Sequence, residues 1–214
     1  MGVETPEPGL RARKRQRTRQ AIARAALELF DRQGFDQTTI PQIAEAADVS
    51  PRTVSTYFPS KEGIVFAAYE GAFRRLADRL AAREPGAPVI AAIGDWARVE
   101  VDFQDEVSSA TVRARVTDGV DYARLRQAAI ARDPDLWALE RRHVRRLTDL
   151  VADAFAEELG VARDSLAARI AGETTAVALM EANARAARGD QAFSESLAFV
   201  LDFVRGGLAA ATKP

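Results

Sequence analysis

Arg52, Thr53, Ser55, Thr56 and Tyr57 fall in one short run that contains no acid. Their side chains offer a rigid guanidinium fork, hydroxyls that donate or accept, and a phenol, which together suit phosphate oxygens and the edges of bases. Val54 and Phe58, spaced i and i+4, point to the opposite side of a helix. The run reads as a short rod with an apolar inner edge and a hydrogen-bonding outer edge, on which Arg52 and Thr56 are the expected base readers.

Such a rod needs a second element to pack against, and the preceding residues supply it. Thr39 and Gln42 have the spacing of a reciprocal N-terminal cap, and Ile43, Ala44 and Ala47 form the buried stripe of a first helix. The chain must then turn at Asp48 within one residue, which calls for left-handed backbone that Asp tolerates at modest cost. Val49 plugs the corner. Ser50 caps the next helix, Pro51 opens it with φ already set, and Pro59 stops it before Ser60 caps another. Residues 38–61 thus predict a helix-turn-helix that offers its second helix to the DNA major groove.

At these residues the chain resembles a known family. The run from Arg17 to Tyr69 is similar to the N-terminal domain of the tetracycline-repressor (TetR) family of bacterial transcription regulators. The resemblance is carried by Thr18-Arg19, Ala25-Ala26, Phe30, Gly34, Thr38-Thr39, Ile43-Ala44, Val49-Ser50, Thr53, Phe58 and Ser60-Lys61-Glu62. Asp48 stands where the family usually has Gly. Ser55 stands where it often has an aromatic residue that touches the DNA backbone, and Tyr57 is the alternative source of that contact. The resemblance implies a DNA-side set of Arg17, Thr18, Thr38, Thr39, Arg52, Thr53, Ser55, Thr56, Tyr57 and Lys61, with Lys61 on a phosphate.

Charge distribution agrees with that reading. The chain of 214 residues has a formal net charge of −1. Between Leu10 and Arg24, however, Arg11, Arg13, Lys14, Arg15, Arg17, Arg19 and Arg24 occur without an acid. A basic head on an acidic body suits a protein whose one end meets a polyanion. Residues 1–17 are expected to form a flexible basic arm, either following the DNA backbone towards the minor groove or simply solvated. Cysteine is absent, which excludes disulfides and thiolate chemistry and suits a cytoplasmic protein. No stretch of about 18 apolar residues suggests a membrane span.

Beyond Lys61 the periodicity is helical throughout, so the expected fold is all-α with nine to ten helices. The expected division is the arm, a three-helix DNA-binding domain at 18–59, and a ligand-binding and dimerisation domain at 60–214. Helices are expected at about 60–82, 88–104, 108–116, 121–132, 135–159, 164–188 and 190–210, with breaks at Asp133-Pro134, Gly160 and Gly189. On the last helix Phe193, Leu197, Val200, Leu201, Val204 and Leu208 form one apolar stripe, while Phe199, Phe203, Gly206 and Gly207 form another. A helix on the outside of a monomer needs one apolar face. The second stripe calls for a partner or for burial within the monomer.

The family resemblance implies that partner to be a second copy, paired through the last two long helices. It assigns Leu166, Ile170, Val177, Phe193, Leu197, Val200, Phe203 and Val204 to a homodimer interface. A twofold dimer spaces two recognition helices roughly 34 Å apart and implies a palindromic operator. Phe66, Tyr69, Phe73, Trp96, Phe103, Tyr122 and Trp137 either fill the core or line a cavity. Resemblance of residues 124–160 to the ligand-binding domain of TetR-like regulators implies a cavity for an acyl-CoA-like or aromatic effector. It further implies that effector binding tilts the 60–82 helix and spreads the DNA modules.

Glu140 and His143 share one helix face at a spacing used in di-iron sites, but those sites need the motif twice and His143 is the only histidine. An exposed or salt-bridged His143 is expected instead. No catalytic residue, metal site or cofactor is expected. The rival readings are a helical carrier or enzyme that keeps the N-terminal module as scaffold, and a non-specific architectural DNA binder.

Overall fold

The computed structural model describes residues 10–112 and 122–211, and side chains for all of these except 12, 101–112 and 211. Among the described residues the chain forms nine helices: α1 (Leu10–Gln33), α2 (Ile40–Ala46), α3 (Pro51–Tyr57), α4 (Lys61–Ala81), α5 (Val89–Val112), α6 (Tyr122–Arg132), α7 (Pro134–Leu159), α8 (Leu166–Arg188) and α9 (Phe193–Ala211). The all-α expectation holds. Two details differ. The separate helices expected at 88–104 and 108–116 are one continuous α5 as far as Val112, since Asp105, Glu106 and Val107 contain no residue that breaks a helix. The basic run is also helical from Leu10, so α1 takes in residues 10–17 of the expected arm. Residues 1–9 and 113–121 lie outside the described residues.

Each boundary has a local cause. Asp133 caps α7 by accepting from the backbone N–H groups of Asp135 and Leu136, and Pro134 occupies the first turn, where no N–H is needed. Ser165 caps α8 through the N–H of Ala168. At the end of α7, Gly160 turns left-handed at φ 64, which removes the Cβ clash and stops the helix.

Helices α1 to α3 enclose a core of Ile22, Ala26, Leu27, Phe30, Ile43, Val54 and Phe58, to which Ile64 of α4 adds. Complete burial of side chains of this size contributes about 1.5–3 kcal/mol each and holds so small a module together. The larger body is built on α7 and α8, which pack along most of their length, with α9 against α8 and α5. Gly172 permits the closest approach: a Cβ there would lie 2.6 Å from that of Ala152. Helix α6 lies among α1, α7 and α8, and α4 also meets α1, so the two parts of the chain touch through two helices.

Candidate nucleic-acid interface and ligand cavity

The helix-turn-helix forms through the anticipated chemistry. Thr39 accepts from the backbone N–H of Gln42 at 3.4 Å, and Gln42 Oε1 accepts from that of Thr39 at 2.8 Å. Gln33 donates to the same Gln42 oxygen at 3.2 Å, tying α1 to the cap. Asp48 turns at φ 52. Ser50 Oγ accepts from the N–H of Thr53 at 3.0 Å, and Ser60 Oγ from that of Gly63 at 3.1 Å.

Helix α3 buries Val54 and turns Arg52, Ser55 and Thr56 to solvent, with Thr53 and Tyr57 half-buried at its flanks. The Thr56 hydroxyl donates to the carbonyl of Arg52, leaving its lone pairs to accept. The Thr53 hydroxyl lies 2.8 Å from that of Ser50. Thr39 and Arg17 are exposed; Thr18 is half-buried and its hydroxyl donates to the carbonyl of Lys14.

Two residues of the DNA-side set are placed otherwise. Thr38 is 1% exposed and its hydroxyl donates to the carbonyl of Gly34, so it closes the turn after α1 and offers nothing outward. Lys61 Nζ donates to the carbonyl of Phe35 at 2.8 Å and sits 4.4 Å from the centre of that ring, so in the DNA-free chain it is held against the turn after α1. A residue outside the set is Arg19. It donates to the carbonyl of Tyr57 at 3.0 Å, and its guanidinium lies 4.4 Å from the centre of the Phe58 ring. Arg19 thus clamps the C-terminal end of α3 to α1, a role that its position within a basic run conceals.

In the larger body a cavity of about 220 Å³ is lined by Tyr69, Phe73 and Trp96 of the expected aromatic set. Phe66 is instead sealed in the core, its ring stacked on His143 at 4.6 Å. Trp137 is 52% exposed with Arg141 over its ring, because it lies on the outer side of the first turns of α7. Tyr122 packs against the core outside the lining, and the side chain of Phe103 lies outside the described residues. Asn183 and Phe193 join the wall. Helix geometry brings in two groups not singled out from sequence, Glu100 and Arg126. The signal for Arg126 was present: Tyr122, Leu125, Arg126, Ala129 and Ile130 repeat at the spacing of a buried face, with a charge in the middle.

The expected interface residues also divide. Leu197, Val200 and Val204 are buried within the monomer, and Phe193 lines the cavity, so these four do not form an outer seam. Leu166, Ile170, Val177 and Phe203 are each more than half exposed, and Phe199 beside Phe203 is 71% exposed with the two rings stacked at 6.3 Å. The first stripe of α9 is therefore core and the second is surface.

His143 is half-buried rather than exposed, and its Nδ1 has no hydrogen-bond partner among the described residues. Burial, reinforced by Arg146 and Arg142 and opposed by Glu70, pushes its pKa below the ordinary value. Burial likewise pushes the Tyr69 phenol up, which keeps it a neutral donor to Glu140 at 3.1 Å.

A capped seven-residue helix displayed across a tight turn, on a body with a half-open cavity, is the arrangement of a helix-turn-helix regulator. Residues 22–68 match the model of the bacterial regulatory proteins of the tetR family. The HTH-type transcriptional regulator BetI of Cronobacter sakazakii is 34% identical over 152 residues, covering 70% of this chain and 71% of BetI. The chain belongs to the TetR family of transcriptional regulators. TcmR of Streptomyces glaucescens is 56% identical over 57 residues, a stretch that spans 27% of this chain and 25% of TcmR. Among solved structures, FadR of Thermus thermophilus, a TetR-family repressor in complex with lauroyl-CoA, is 26% identical with a TM-score of 0.51, covering 89% of this chain and 94% of that one. Among the described residues no helix is long and apolar enough to cross a membrane.

Proposed function

We propose that the protein is a ligand-responsive repressor that binds a palindromic operator as a homodimer and is released by a small, largely apolar effector. Residues 18–59 form the DNA-binding domain and residues 60–214 the ligand-binding and dimerisation domain. Arg52 and Thr56 read base edges, Thr39, Ser55 and Tyr57 hold the backbone, and the basic start of α1 adds phosphate contacts. The carrying observation is the outer face of α3, exposed and free of acids while its inner face is sealed by Val54 and the Phe58 cap. Leu166, Ile170, Val177, Phe199 and Phe203 supply the seam between two copies. Gly206 and Gly207, with open space around them, allow backbones to approach there.

The cavity lies between helices that touch the DNA-binding domain. Its wall includes residues of α4 and α6, and both helices pack on α1. Arg132, at the end of α6, holds Asp31 near the end of α1 at 2.7 Å. An effector that prefers a shifted α4 and α6 moves α1, and with it the α3 that Arg19 clamps. A coupling of about 3 kcal/mol weakens operator affinity roughly 150-fold. FadR, solved in complex with lauroyl-CoA, supports an effector with an apolar chain.

A gel shift on the DNA upstream of the protein's own coding sequence tests the reading. A complex that survives a large excess of random duplex is expected. Displacement by random duplex as readily as by the same fragment would favour an architectural DNA binder.

A further inference from the structure

The polar groups in the cavity wall are unequally satisfied. Glu100, 6% exposed, accepts from Nε and from Nη2 of Arg75, so its charge is neutralised by a two-pronged pair. The Tyr69 hydroxyl donates to Glu140 and accepts from Gln127. Trp96 donates its indole N–H to the carbonyl of Ala72 at 3.0 Å, which leaves only the ring for the cavity. Arg126 differs. It is 2% exposed, its Nε has no hydrogen-bond partner, and no acid lies within ion-pair distance of it among the described residues. Its guanidinium rests 4.8 Å from the centre of the Tyr69 ring, a contact that leaves the Nε–H without an acceptor.

A desolvated guanidinium with no matching acid among the described residues is costly, and a cavity beside it lets a ligand supply a balancing charge. The Nε edge of arginine is the geometry at which a planar carboxylate makes two parallel hydrogen bonds. The lining that Arg126 shares also includes the apolar Phe73, Trp96, Leu147, Leu179 and Phe193. Arg126 is the one cation among the described lining residues, so a monoanion balances it and a dianion leaves a charge unpaired. The cavity of about 220 Å³ exceeds by about half the roughly 150 Å³ that takes benzene, enough for one ring or a chain of about eight carbons with its acid group. Coenzyme A, with its several phosphates, exceeds the cavity in size and would have to lie outside it.

We propose that the effector is a small monocarboxylic acid, its carboxylate forked on Arg126 and its aromatic or short alkyl body packed against Phe73, Trp96 and Phe193. This deepens the reading of the cavity as an effector site and rests on it.

Titration calorimetry on the full chain with octanoate, octanamide, 4-phenylbutanoate and 4-phenylbutanamide provides the test. At least one acid is expected to bind tenfold or more tightly than its own amide. Arg126→Met should bind acid and amide alike, with a melting temperature equal to or above that of the wild type because an unpaired buried charge is gone. Arg126→Lys, which keeps the charge without the fork, should retain the preference for the acid at lower affinity. Amides that bind as tightly as acids, acids that do not bind, an acid preference that survives Arg126→Met, or a lower melting temperature for that variant would each overturn the proposal. Operator binding is scored separately without any acid present. Intact operator binding without acid preference sinks this inference alone, whereas a chain that binds acids but lacks sequence-selective DNA binding sinks the regulatory reading.

Discussion

Replacing Phe203 by glutamate perturbs the exposed seam of α9 without touching the monomer core. Phe203 is 61% exposed. Taking roughly 200 Å² for a phenylalanine, about 120 Å² faces water in the single chain, and a twofold contact covers this surface twice, about 240 Å² in all. At about 25 cal/mol per Å² the gross stabilisation is on the order of 6 kcal/mol per dimer. Area converts to affinity with loss, because association also orders side chains and removes translational freedom. If half survives, about 3 kcal/mol, the dimer dissociation constant rises roughly 150-fold, and burying the new carboxylate adds to that. Sedimentation velocity over a dilution series reads the constant directly, and Phe199→Glu, on the stacked neighbour 6.3 Å away, should behave alike. The stability of the separated chain should barely change, since neither ring is packed in it. A dissociation constant the same as the wild type's, or a wild type that is monomeric throughout, would refute the assignment of this stripe to a twofold interface.

Lys61→Ala should lower the stability of the DNA-binding module by about 1–3 kcal/mol, because it removes a charged hydrogen bond to the end of α1, while leaving the salt dependence of operator binding unchanged; an unchanged melting temperature with a salt slope smaller by about one would return Lys61 to the phosphate. His143 has a folded-state pKa depressed below about 6.5, so the unfolded chain takes up the proton first and stability falls as pH drops from about 6.5 towards the folded value. His143→Phe, which keeps a ring on Phe66, should flatten that part of the curve of melting temperature against pH, and a variant with the wild-type slope between pH about 7.5 and about 5.5 would clear His143 of the effect. Gly172→Ala should cost about 1–3 kcal/mol in denaturant unfolding, since a Cβ 2.6 Å from that of Ala152 forces α7 and α8 apart, and a stability equal to the wild type's would show that the pair can yield.

The DNA-binding module was legible because its signals are local. Caps, the turn at Asp48 and the apolar pair Val54 and Phe58 lie within a few residues of what they control, and each stands in the structure where the spacing implied. What escaped depends on distance. Lys61 and Arg19 are basic residues in a basic neighbourhood, and only the folded chain brings their charges to the carbonyls of Phe35 and Tyr57. Two apolar stripes on α9 were visible, but periodicity does not say which one faces inward; the packing of α5 and α8 against Leu197, Val200 and Val204 decides it. Aromatic residues were a poor guide to the cavity, since Phe66 is sealed in the core and Trp137 is half exposed, and neither lines it. Arg126 was the better marker, a charge set in an apolar stripe where a solvated role is excluded.

The central claim, that the outer face of α3 reads DNA as one of two copies related by a twofold axis, is tested most directly by selecting operators from random duplex with the wild type and with Arg52→Ala. The wild type should enrich an inverted repeat with half-sites about one helical turn apart. Arg52→Ala should lose preference at one base position in each half, placed symmetrically about the dyad, at a cost of about 1–3 kcal/mol. Failure of the wild type to enrich any sequence, or an Arg52→Ala variant that recovers the same repeat at undiminished affinity, would contradict it.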